Sequence, residues 1–114
     1  MSETALSKSI RKGLSAIGVW TIRVQSGVIE AIPYKGKKRF IHCAEPGTPD
    51  VYLPALNLWL EIKTPKGRLT PEQKKWHARA QREGIRVAVV HSLSEAIEAV
   101  RVWQLETGQS RRSA

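Results

Sequence analysis

The chain has 114 residues, enough for one domain with a single modest core. It carries 19 Lys and Arg against 10 Asp and Glu, a formal charge of +9, which favours polyanionic partners and above all nucleic acid. No lipidation signal or strongly amphipathic basic helix directs that charge to a membrane. The lone cysteine, Cys43, excludes an internal disulfide, and without a signal peptide or long apolar run the expected location is the cytoplasm.

Residues 2–17 have helical spacing, with Ala5, Leu6, Ile10, Leu14 and Ile17 as the apolar stripe. Ser2 is the expected N-cap and Gly18 the stop. Lys8, Arg11 and Lys12 fall off the stripe and make a basic outer face. Residues 19–25 have strand composition. Residues 26–38 read as a connection with a mobile basic tip, with a short strand possible at 28–32, and 40–43 as a further strand. After a basic loop at 64–68, Thr70-Pro71-Glu72-Gln73 is a helix start: a capping residue, Pro at the first helical position, and Gln three residues after the cap. That helix runs to about Glu83 and stops at Gly84. Residues 86–91 read as a buried strand. A last helix, capped by Ser92 or Ser94, carries Ala96, Ile97, Val100 and Trp103 on one side. The segment from Leu58 to Val90 is a crossover between parallel strands. An α/β fold follows, a mixed sheet flanked by helices in the order α-β-β-β-α-β-α, over residues 1–106, with a polar, disordered tail at 107–114.

The stretch with chemical content is 47–63. Two strands, 50–54 and 57–63, flank a turn, and a register in which Leu53 faces Leu58 and Val51 faces Leu60 sets Asp50 opposite Glu61. Opposed residues stand roughly 5 Å apart at Cβ. Alternation then puts Val51, Leu53, Leu58, Leu60 and Ile62 on one face, and Asp50, Tyr52, Trp59, Glu61 and Lys63 on the other. Two neighbouring carboxylates repel unless a cation lies between them. Their oxygen donors suit Mg²⁺ or Mn²⁺, with the Ile62 carbonyl as a further ligand and Lys63 placed to orient a water and neutralise phosphate charge. The plain alternative is a surface Glu61–Lys63 pair on an exposed sheet face.

Pro49-Asp50, followed eleven positions later by Glu61-Ile62-Lys63, resembles the PD-(D/E)XK nuclease signature. The wider set Gly47-Thr48-Pro49-Asp50, Glu61-Ile62-Lys63, Leu69-Thr70, Gln73, Trp76 and Gly84, with Ser2-Glu3 and Gly18-Val19-Trp20 before it, is similar to the VRR-Nuc branch of that superfamily. Val51 stands where Leu is commoner, and Thr64-Pro65 replaces the more usual Gly-Pro at the start of that loop. The resemblance, over about residues 2–91, implies a restriction-endonuclease-like core and a metal-dependent, structure-selective DNA nuclease. Small stand-alone phage or bacterial members of this branch are often homodimers that cut four-way (Holliday) junctions, and a eukaryotic repair nuclease carries the same module. A prokaryotic or phage-infected cell and a role in DNA repair or recombination follow from the same resemblance. It also implies that Glu3 reaches the metal site and that Gln73 supports it; from chemistry alone, Glu3 offsets a helix dipole and Gln73 completes a capping box.

The remaining basic residues divide into DNA contacts and ordinary surface. Lys35, Lys37, Lys38 and Arg39 are the densest group, followed by Lys66 and Arg68 beside the site and Lys74 and Lys75 on the second helix. Such contacts confer affinity without sequence information. His42, His77 and His91 have no spacing that makes a ligand set and read as packing or surface. The four tryptophans read mainly as core. The rival readings are a non-catalytic basic DNA-binding module, a nuclease selective for flaps or other DNA ends, a restriction-type enzyme and an RNA-directed nuclease.

Overall fold

The structure, a computed structural model, describes the backbone of residues 1–25, 28–34, 37–42 and 44–112 and the side chains of 1–25 and 44–106. Its elements are α1 (Glu3–Ala16), β1 (Ile22–Arg23), β2 (Val28–Tyr34), β3 (Lys37–His42), β4 (Val51–Leu53), β5 (Leu58–Ile62), α2 (Pro71–Arg82), β6 (Arg86–Val90) and α3 (Leu93–Arg112). Four strands form a mixed sheet in the order β1-β4-β5-β6, in which only β5 and β6 run parallel. The parallel pair is joined through α2, as the crossover from Leu58 to Val90 requires.

The β4–β5 register is the one expected from alternation: Val51 pairs with Leu60, Tyr52 with Trp59 and Leu53 with Leu58. The connecting turn is a short 3₁₀ segment, Pro54–Leu56, closed by Asn57 in the left-handed region. Val51, Leu53, Leu58, Leu60 and Ile62 are fully buried and form one continuous core with Ile10 and Leu14 of α1 and Ala96 and Val100 of α3. α1 and α3 therefore cover the apolar face of the sheet. α2 covers the other face, where Trp76 meets Trp59 and Trp59 meets Tyr52. Both helix starts behave as their sequences require. Ser2 Oγ accepts the Ala5 N–H at 3.1 Å, and at α2 the reciprocal capping box forms, with Gln73 Oε1 accepting the Thr70 N–H at 2.8 Å.

Several expectations are corrected. The strand over 19–25 shortens to two residues, Ile22 and Arg23, which pair with Tyr52 and Val51 of β4. Trp20 thus lies outside the sheet and is 65% exposed rather than core. On α1 the buried row is Ser7, Ile10 and Leu14, whereas Ala5 and Ile17 face out; Ile17 already belongs to the turn that ends the helix. Within the expected connection over 26–38, the short strand possible at 28–32 forms as β2 and runs to Tyr34. The strand expected at 40–43 begins already at Lys37 as β3, and the two pair as an antiparallel two-stranded sheet of their own. β6 is an edge strand, so Val89 is open to solvent despite its apolar neighbours. The last helix, α3, runs from Leu93 to Arg112.

Candidate functional site

The approach to Asp50 is built by three residues with separate physical tasks. Gly47 has φ +91°, and a Cβ there would lie 2.3 Å from the Glu72 carbonyl oxygen, so only glycine lets this loop pass the first turn of α2. Thr48 turns back on the loop, its N–H and its hydroxyl both donating to the Glu45 carbonyl, at 3.0 and 2.6 Å. Pro49 is fully buried and fixes the chain as it enters β4. Asp50 is then held at both ends. Its carbonyl accepts the Val24 N–H at 2.8 Å, and its Oδ1 accepts the Ile62 N–H at 3.4 Å.

Glu61 lies one step beyond the Val51–Leu60 pair on β5, facing the Asp50 end of β4. It is only 2% exposed. The His77 ring, on α2, sits with Nε2 3.1 Å from Glu61 Oε1; since an ionised carboxylate only accepts, His77 donates. Burial raises the Glu61 pKa above the ordinary carboxylate value, the His77 hydrogen bond opposes that, the neighbouring Asp50 charge raises it further, and Lys63 draws it down. Lys63, 6% exposed, is the next residue on the same row, with Nζ 3.7 Å from Glu3 Oε2 at the start of α1. The exposed Glu61–Lys63 pair of the plain alternative is therefore not what forms, since α2 and the start of α1 close over both residues.

The Ile62 carbonyl has a defined direction. The Lys63 N–H points to β6, where it donates to the Val90 carbonyl at 3.0 Å, and the Ile62 N–H points the opposite way, to Asp50. A residue's N–H and C=O leave a strand on the same edge, so the Ile62 carbonyl also faces the Asp50 side, beyond the end of β4. Among the described residues no three His, Cys, Asp or Glu side chains group as a metal site. The donor set here is two carboxylates and a main-chain oxygen, all hard ligands suited to a divalent cation that prefers oxygen.

The other expected residues are placed as follows. Gln73 spends its Oε1 on the capping box, and it is His77, one turn further along α2, that touches Glu61. His77 read as packing or surface in the sequence; its i+4 spacing from Gln73 was the available signal. Lys66 and Arg68 are exposed on a loop closed by the Gly67 N–H to the Thr64 carbonyl, and Lys74 and Lys75 are exposed on α2. Lys35 lies outside the described residues, and Lys37, Lys38 and Arg39 fall on β3 with side chains outside them. Tyr52 and Trp59 pack with Trp76, ring centres 4.7 and 5.4 Å apart, as a wall beside Glu61.

A cleft of about 450 Å³ opens next to Asp50, between α1 and β1. Glu3 and Asp50 line it together with Lys8, Arg11 and Arg23. Arg11 Nε is the one buried side-chain nitrogen or oxygen among the described residues without a hydrogen-bond partner. An unmade bond of that kind costs about 1–3 kcal/mol.

A mixed sheet flanked by helices, with Asp at the head of one strand and Glu-x-Lys on the next, is the arrangement of the PD-(D/E)XK nucleases. The chain belongs to the VRR-NUC domain family, whose model matches residues 9–94. Glu3 precedes that stretch, so its place beside the site rests on the ion pair with Lys63 and on the cleft it shares with Asp50. No curated protein and no solved structure matches the chain.

Proposed function

We propose that the chain is a Mg²⁺- or Mn²⁺-dependent, structure-selective endonuclease that hydrolyses phosphodiester bonds in branched DNA, four-way junctions above all. Membership of a nuclease family and a charge of +9 support DNA as the partner. The observation that carries the catalytic reading is Glu61: a carboxylate 2% exposed, facing a second carboxylate, with its pKa raised by burial. Such a pair is stable in its ionised form only with a cation between the two acids.

In this reading Asp50, Glu61 and the Ile62 carbonyl hold the ion, which when bound would polarise the phosphoryl oxygen and acidify a water. Lys63 orients a water and neutralises charge developing on the phosphate, and Glu3 positions it through their ion pair. Gln73 supports the site from the first turn of α2, where the capping box fixes its direction. Lys35, Lys37, Lys38, Arg39, Lys66, Arg68, Lys74 and Lys75 contribute phosphate contacts, which select shape rather than sequence. Each chain has one site, and a junction needs two coordinated cuts, so the working form is a C2 homodimer. In this reading the protein works in the cytoplasm of a prokaryotic or phage-infected cell, serving repair or recombination, as the family resemblance implies. No helix among the described residues is long and apolar enough to cross a membrane.

Incubating the protein with linear duplex, flap and four-way DNA, in Mg²⁺, Mn²⁺ or EDTA, tests this directly. Cutting of the four-way substrate is expected with either metal and is abolished by EDTA. Asp50→Ala and Lys63→Ala should bind branched DNA and leave it intact. Undiminished cutting by both variants, or equal binding of every DNA shape with no cutting at all, would sink the reading.

A further inference from the structure

The cleft between α1 and β1 contains a feature that the two carboxylates do not explain. Three cations, Lys8, Arg11 and Arg23, line one cavity of about 450 Å³ whose acidic members, Glu3 and Asp50, belong to the candidate active site. The three cations outnumber the two acids of the cavity, so its lining keeps an excess of positive charge that attracts an anion. Arg11 adds a more specific sign, a buried Nε with no hydrogen-bond partner. A guanidinium with an unused N–H has the fork geometry that binds phosphate oxygens in pairs.

The positions give the cleft a direction. Glu3, Ser7 and Arg11 lie one turn apart along α1 and all line the cavity, so Arg11 stands roughly 12 Å up the helix axis from Glu3. Across the cleft, Arg23 pairs with Val51, next to Asp50. The acids are therefore next to the proposed cutting site, and the cleft continues from them along α1 to Arg11. That order suits a strand whose scissile phosphate lies by Asp50 and whose flanking phosphates continue along α1.

We propose that the α1–β1 cleft is the phosphate-binding subsite for the DNA strand being cut, with Arg11 as the fork and Lys8 and Arg23 as flanking charges. Its position in the reaction rests on the nuclease reading, but its test does not, because binding is read without metal and without cutting. The cleft commits to strand phosphates over a free inorganic anion, since three cations along one cavity exceed what a single phosphate needs.

The test measures binding of fluorescein-labelled branched DNA by anisotropy in EDTA, over a range of salt, for the full chain and for Arg11→Gln, Lys8→Gln, Arg23→Gln and Arg11→Lys. Each Gln variant is expected to weaken binding about tenfold and to reduce the slope of log affinity against log salt by about 0.9 per lost phosphate contact. Arg11→Lys should keep the slope and recover only part of the affinity, because the charge remains but the fork does not. Arg101→Gln, on the exposed side of α3, should bind as the parent does. Lys8 and Arg23 are exposed, so their variants keep the test valid where loss of Arg11 disturbs folding. Parent-like affinity and slope in the Lys8 and Arg23 variants would overturn the proposal. So would inorganic phosphate alone stabilising the protein against heat as strongly as an oligonucleotide, with that effect lost in Arg11→Gln, since the cleft would then be a small-anion site. Loss of binding in these variants alongside a parent that never cuts would overturn the nuclease reading and leave the cleft standing.

Discussion

His77 Nε2 lies 3.1 Å from Glu61 Oε1, joining α2 to the row of β5 that carries the candidate metal ligands. A hydrogen bond to one carboxylate oxygen fixes the rotation of the group and so the direction of the other oxygen. Partners of this kind are worth about 10–100-fold in metal affinity or activity. His77→Leu should therefore weaken Mn²⁺ binding, measured by calorimetric titration, by about that factor. His77→Gln retains a donor and should recover most of it. Equal losses in both variants would mean that the imidazole matters only for packing against Trp76, whose ring centre is 6.0 Å away.

The Glu61 pKa implies a pH dependence with a definite sign. The carboxyl titrates above its ordinary value of 4.5 in the folded protein, chiefly because burial disfavours the charged form. Between the unfolded and folded pKa values the native state binds more protons than the unfolded state, so stability falls as pH rises through that window. Without metal, the wild-type melting temperature should decline relative to Glu61→Gln as pH rises from about 4.5 towards neutrality. With Mn²⁺ the trend should reverse, because the ion binds the ionised carboxylate, and Glu61→Gln should show little metal-dependent shift. Melting curves in buffers of matched ionic strength, with Mn²⁺ or EDTA, check both signs.

Much of the site was legible because strand alternation leaves little freedom. Five apolar residues on two short strands had to share a face, and once they did, Asp50 and Glu61 were brought together. Helix ends were legible for a similar reason, since Thr70, Pro71 and Gln73 carry their own local chemistry. What the sequence withheld depends on which element covers which. His77 meets Glu61 only because α2 lies on that face of the sheet, and Arg11, half-buried with its Nε out of solvent, lines a cleft that exists only where α1 and β1 come together. Trp20 reads as core by composition, yet the strand begins only at Ile22, and Trp20 before it is exposed.

Gln73 separates a cap from a catalytic support. Its Oε1 accepts the Thr70 N–H, and a carboxylate oxygen at the same place would do so equally well. Gln73→Glu should therefore leave unfolding free energy within about 0.5 kcal/mol of the parent, as substitutions that keep the local hydrogen bond outside the core usually do. The amide donors are lost, and junction cutting should fall about tenfold, the lower end of the range for residues that support a metal site. Urea unfolding and a cleavage time course on the same preparations read the two effects apart. Full activity in this variant would confine Gln73 to holding the start of α2.

Gly47 gives the sharpest link between backbone and chemistry. A methyl group there would stand 2.3 Å from the Glu72 carbonyl oxygen, on a backbone with φ +91°, so both the space and the conformation are denied to alanine. A backbone carbonyl in a capped first turn cannot swing aside as a side chain can, and α2 or the loop must move. Gly47→Ala should cost about 2 kcal/mol or more of stability, beyond the gain of up to about 1 kcal/mol that Gly→Ala provides where the conformation allows it. The displacement passes through Thr48 and Pro49 to Asp50, so Mn²⁺ affinity should fall even in the fraction that stays folded. Gly18→Ala is the control: it has a similar φ of +87° but open space around the added carbon, and it lies far along the chain from Asp50. That variant should lose stability from backbone strain alone and bind Mn²⁺ as the parent does. Comparable losses of metal affinity in both would show that Gly47 acts through global stability and not by placing the carboxylate.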